Sequence, residues 1–231
     1  MSVTLTYSGG RTFAVAYRGI RFYLEPGPHL GPVADADLVT ITGPESLHAE
    51  SLRLLLAASP RAKAVLPKSL AAAAHQAGIP YDRMTTTDAA LRVEYFKRGD
   101  YGRVYGVPAA RPDPAGPQLD WHPIGGFPRI SFMVRFGSTT VWHSGTGVAY
   151  PELGHRLMPY AVNAAIVTLG EGYFSAAEAA ALSDSLQAGW LIAATDAEAS
   201  KACFIEHLLG QRPWQRFKVF EVGETWEIPG T

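Results

Sequence analysis

Asp37-Leu38-Val39-Thr40-Ile41-Thr42-Gly43-Pro44-Glu45-Ser46-Leu47-His48 carries the pattern from which the fold class follows. Its first five residues form a short apolar run with β-branched members, as a buried strand does. Ser46 to Ala58 then carries leucines at 47, 52, 54, 55 and 56, so a helix is predicted to begin near Ser46 and Thr42 to His48 is its strand-to-helix loop. The same unit repeats with a strand over Ala62 to Leu66 and a helix over Ser69 to Ala77, which Gly78 is placed to cap. The chain is therefore α/β.

Before this stretch, Val3 to Leu24 alternates between apolar and polar residues, with turns at Gly9-Gly10 and Arg18-Gly19, and reads as two or three antiparallel strands. Glu25-Pro26-Gly27-Pro28 stops them, because proline has no N–H for the ladder. After it, strands are predicted over Leu91 to Phe96, Arg103 to Pro108, Arg129 to Phe136 and Thr139 to Trp142, with Gly137-Ser138 as a hairpin turn. Arg111 to Pro128 breaks both periodicities and reads as a long loop. The last third alternates again: strand Ala164 to Leu169, helix Ala176 to Gln187, strand Trp190 to Ala194, helix Ala197 to Leu209, and closing strands at Arg216 to Glu221 and Thr225 to Ile228. Two such halves predict one domain over residues 1–231, a four-layer αββα sandwich of two mixed sheets with helices on both outer faces.

With 231 residues, 47% of them apolar and 18% charged, the chain can bury a full core. Its 20 Lys and Arg against 21 Asp and Glu leave a net charge of -1, which offers no field for nucleic acid or an anionic membrane. Cys203 is the only cysteine and Met1 to Gly10 has no export signature, so a cytoplasmic, membrane-free protein is expected.

The stretch from Asp37 to His48 resembles the strand and loop that carry His-x-His-x-Asp-His in metallo-β-lactamase-fold hydrolases, and the chain is most similar to their ascorbate-6-phosphate lactonase-like branch. Supporting segments are Leu24-Glu25-Pro26, Val65-Leu66-Pro67-Lys68-Ser69, Val107-Pro108-Ala109 and Trp142-His143-Ser144-Gly145. In that family, His and carboxylate ligands on strand-end loops hold one or two divalent ions that activate water. Carried over residue by residue, the four loop ligands fall on Gly43, Glu45, Leu47 and His48; the later ones fall on Arg111 (or Ala110), Thr146 and Thr195. Only His48 keeps its type, and glycine and leucine cannot ligate a metal.

The resemblance thus implies the fold together with a degenerate metal motif. No resident metal or other cofactor is expected, and the partner is a small molecule or anion. The alternative is a hydrolase of a lactone, ester or phosphorylated small molecule using zinc or another divalent metal at a remodelled site. Candidate catalytic residues are Glu45 as base or ligand, His48 as ligand or base, and His143 as proton donor or orienter. Arg111, His122 and Arg129 are candidates for an anion-binding wall, and Thr146, Glu171 and Thr195 for the rest of the ligand cleft. Structural roles compete with these: a lone histidine at a helix start for His48, solvated loop charges for the arginines, and an exposed turn for Glu171. Asp196 reads as a helix N-cap, Cys203 as a small buried residue, and Trp121, Phe127, Phe132 and Trp142 as packing. Oligomeric state has no signal in the sequence.

Overall fold

A computed structural model describes residues 2–121 and 126–229. The N-terminal alternation becomes an antiparallel meander of β1 (Thr4–Tyr7), β2 (Phe13–Tyr17) and β3 (Ile20–Leu24). Parallel strands β4 (Leu38–Thr40), β5 (Lys63–Pro67) and β6 (Met84–Thr87) extend it from β3. The second sheet begins with antiparallel β7 (Arg92–Lys97), β8 (Asp100–Pro108), β9 (Ile130–Phe136) and β10 (Thr139–His143). Parallel β11 (Ala164–Thr168), β12 (Trp190–Ala194) and β13 (Phe217–Val219) complete it. Strand β14 (Thr225–Glu227) crosses back to pair with β1, so among the described residues each sheet has seven strands and β14 closes the N-terminal sheet.

Side-chain alternation sorts residues into three core layers, as the two-residue period of a strand requires. Phe13, Val15, Phe22 and Leu24 meet Phe132, Val134, Ile166 and Ile192 between the sheets. Their neighbours Ala14 and Tyr23 turn outward onto Leu52, Leu55 and Leu56 of α1 (Ala49–Ala58), with Ala74 of α2 (Ala71–Gln76) in the same cluster. On the opposite outer face Met133, Ala165, Val167 and Leu191 pack against α3 (Leu153–Leu157), α4 (Ala176–Leu186) and α5 (Glu198–Gln211). The result is the expected αββα sandwich. No described helix is long and apolar enough to cross a membrane.

Several local expectations need correction. The first helix begins at Ala49 rather than near Ser46, because Gly43-Pro44 initiates a separate 3-10 turn, Pro44–Ser46, and Leu47 and His48 are non-helical. Strand β6, sequence Met-Thr-Thr-Thr, has no apolar alternation to reveal it and exists through its pairing with β5. Cys203 is exposed, since α5 buries Phe204 and Leu208 and turns position 203 to solvent. Asp196 is not the N-cap of α5, a place taken by Ala197; its carboxylate instead accepts from the Tyr7 hydroxyl at 2.6 Å and the Gly10 N–H at 2.7 Å, tying the β1–β2 turn to the end of β12.

Candidate functional site

The β1–β2 turn and the segments leaving β3, β4, β8, β10, β11 and β12 meet along one edge of the two sheets. Pairing fixes this: β3 to β4 and β10 to β12 run parallel, so their C-terminal ends share an edge, and β2 starts where β3 stops. A cleft of about 240 Å³ opens there, lined among others by Arg11, Glu25, His29, His48, Tyr173 and Thr195.

Arg11, at the end of the β1–β2 turn, brings the cleft its permanent cation. Its Nη1 donates to the Tyr173 hydroxyl at 2.6 Å and its guanidinium lies 5.2 Å from the centre of that ring. Among the described residues no carboxylate forms an ion pair with it. The backbone of Arg11 is anchored from beneath by His143, whose Nδ1 accepts from the Gly145 N–H at 3.0 Å while Nε2 lies 2.9 Å from the Arg11 carbonyl oxygen. That carbonyl can only accept, so Nε2 carries the proton and the ring is the neutral Nε2–H tautomer. Burial, with Arg11 adding repulsion, pushes the His143 pKa down to about 3. With the residue 1% exposed and both nitrogens committed, His143 orients Arg11 and has no nitrogen free to serve as a proton donor to substrate.

Glu25 is the second residue of weight. It sits just past β3 at φ 52°, a left-handed conformation that costs a non-glycine residue roughly 1–2 kcal/mol. Its Oε1 accepts from the Thr42 N–H at 2.7 Å, and Oε2 is buried without a hydrogen-bond partner. Burial is the main reason its carboxyl is held above the usual range, opposed by Arg11 and Thr42. His48, half-buried where α1 begins, is lowered by burial and by the neighbouring Arg11 and His29, which favours the neutral ring.

The remaining candidates do not gather in one place. Thr195 is buried at the end of β12 and lines the cleft. Glu45 lies a short distance away, exposed, in an ion pair with Arg129. Thr146 is buried, its hydroxyl 3.2 Å from that of Thr42. Arg111 pairs with Asp113 at 2.7 Å and Asp120 at 2.8 Å, so the charges of both Arg111 and Arg129 are answered within the protein. His122 lies outside the described residues. Glu171 does not join the cleft; it is exposed and lines a neighbouring hollow with Cys203. Among the described residues, no three His, Cys, Asp or Glu side chains gather as a metal site would need.

Sequence reading missed Arg11, because a turn arginine ordinarily points to solvent and nothing local marks it. Glu25 did carry a signal, its place in Leu24-Glu25-Pro26, but only the tertiary contact with Thr42 reveals its burial.

No protein-family model matches the chain, and no curated protein sequence matches it. Solved structures do. Igni18, a metallo hydrolase from the archaeon Ignicoccus hospitalis, is similar with a TM-score of 0.75 at 16% identity, all of both chains being covered. The metallo-β-lactamase fold protein YhfI of Bacillus subtilis gives 0.72 at 11% identity over 98% of this chain and 100% of that one. Isothiocyanate hydrolase from Delia radicum gut bacteria gives 0.70 at 14% identity, again over 98% and 100%. Likeness at such low identity is a likeness of fold, and with the two seven-stranded sheets and their flanking helices it establishes that this chain carries the metallo-β-lactamase fold.

Proposed function

We propose that the protein is a remodelled metallo-β-lactamase-fold protein that binds a small carboxylate or phosphate in the Arg11 cleft and has given up the dinuclear metal centre. The observation that carries this reading is Arg11 itself, a cation facing a cleft with His29 and His48 and, among the described residues, no carboxylate at ion-pair distance, where a guanidinium suits an oxyanion. Chemistry at the ligand positions supports the second half. A side chain at Gly43 would start 2.7 Å from Thr146 Oγ1 and 3.1 Å from Arg129 Cγ, so a histidine has no room there. Leu47 offers no donor, Thr146 offers a neutral hydroxyl in place of a bridging carboxylate, and Glu45 is engaged by Arg129. These side chains do not fit a divalent ion.

Thermal unfolding in inorganic phosphate and in acetate, at constant ionic strength, tests the reading. A ligand that binds only the folded state raises Tm. Phosphate or acetate should raise it for the wild type and for Tyr173→Phe, but not for Arg11→Met. The absence of any rise, or an equal rise in Arg11→Met, would overturn the proposal.

A second reading, hydrolysis of a lactone, ester or phosphorylated small molecule as in the lactonase-like branch, is favoured by one observation. His48, shifted toward its neutral form, shares the cleft with Glu25, whose second carboxyl oxygen has no partner. Zinc retained stoichiometrically by protein purified without chelator, and lost on Glu25→Ala or His48→Ala, would select this reading.

A further inference from the structure

Arg129 enters β9 beside the Gly43 loop, and its stem crosses the space that a side chain at position 43 would need, 3.1 Å from the place of a Cβ. Its side chain is only 14% exposed. One nitrogen, Nη2, is ion-paired with Glu45 of the β4–α1 loop, and the other, Nη1, lies 3.3 Å from Asp120 Oδ2 in the 109–129 segment. The same Asp120 oxygen accepts from Arg111 Nε at 2.8 Å, and Arg111 Nη1 reaches Asp113 at 2.7 Å. Thr146 Oγ1, on a third loop, lies 2.7 Å from the same Cβ place at position 43. The carboxylates of two separate loops therefore converge on one guanidinium at the edge where the fold family's ligand loops meet.

We propose that Arg129 is an internal cation that holds the ligand-bearing loops in place, the part that metal–ligand bonds would otherwise play. The planar, permanently charged guanidinium is suited to this, since it can address two carboxylates at once and cannot be removed by a chelator or by deprotonation. An exposed ion pair contributes little to stability by itself, and both carboxylates are partly exposed. The effect should therefore be local loop order more than global stability. This inference does not depend on whether the Arg11 cleft binds an anion.

Amide hydrogen exchange of the purified protein, with and without EDTA, reads loop order directly. Wild-type protection at residues 43–48 and 110–120 should be unchanged by EDTA. Arg129→Met should speed exchange in both segments about tenfold while leaving β11 and β12 protected, and Arg129→Lys should recover part of the protection through its single point charge. Glu45→Gln, on the surface, provides the same test without touching the buried stem: the 43–48 segment should loosen. Unchanged exchange in Arg129→Met and Glu45→Gln would overturn the proposal, as would loosening of wild-type loops by EDTA.

Discussion

Replacing His143 with asparagine should flatten the acid limb of the stability curve. The wild-type imidazole is neutral in the fold, with its pKa pushed down to about 3 from an ordinary 6.5. Below pH 6.5 the unfolded chain binds a proton that the folded chain refuses, so this group's stability is fully present above 6.5 and is lost as pH falls toward about 3. Each unit of that window is worth about 1.4 kcal/mol, hence about 3 kcal/mol between pH 6.5 and 4. Glu25 works in the opposite direction: its raised carboxyl contributes stability that is present below 4.5 and is lost as pH rises through the folded value. The two partly cancel in the wild type, and the difference between wild type and variant isolates His143. Asparagine can still accept from the Gly145 N–H but leaves the Arg11 carbonyl without its donor, at a cost of about 1–3 kcal/mol at neutral pH. Urea denaturation from pH 4 to 8 should then show the wild type losing its neutral-pH advantage on acidification. Parallel curves for the two proteins between pH 6 and 4 would refute the argument that His143 is buried and neutral.

Two further substitutions test the joints of the candidate edge. Gly145 has φ 60°, and a Cβ there would lie 2.2 Å from Thr42 Cγ2, so Gly145→Ala should cost about 2–4 kcal/mol of unfolding free energy from conformational strain plus overpacking; a loss under about 1 kcal/mol in urea titration would show that the two loops are not in contact. Tyr7→Phe removes a 2.6 Å hydrogen bond to the Asp196 carboxylate and should cost about 1.5–3 kcal/mol in the same assay, with faster exchange at Gly10 as the local sign.

The order and type of most elements are legible in the amino-acid sequence, because that information is local. Alternation in Val3 to Leu24, the leucine spacing after Ser46 and the glycine turns each act within a few residues, and Trp190–Ala194 is found with the boundaries its pattern predicts. Residues at strand ends were legible as candidates for the same reason, since a strand-to-helix junction is visible in the chain. What those residues do was decided only in the tertiary structure. Glu45 and Arg129 are 84 positions apart, Tyr7 and Asp196 are 189 apart, and His143 meets the carbonyl of Arg11 across 132 residues. No periodicity records such pairings. The turn arginine that proves to face the cleft, the arginines of the expected anion wall that prove to be matched by carboxylates, and the crossing of β14 to the first sheet all follow from packing two sheets together, which brings charges and hydrogen-bonding groups from distant segments within a few ångströms of one another.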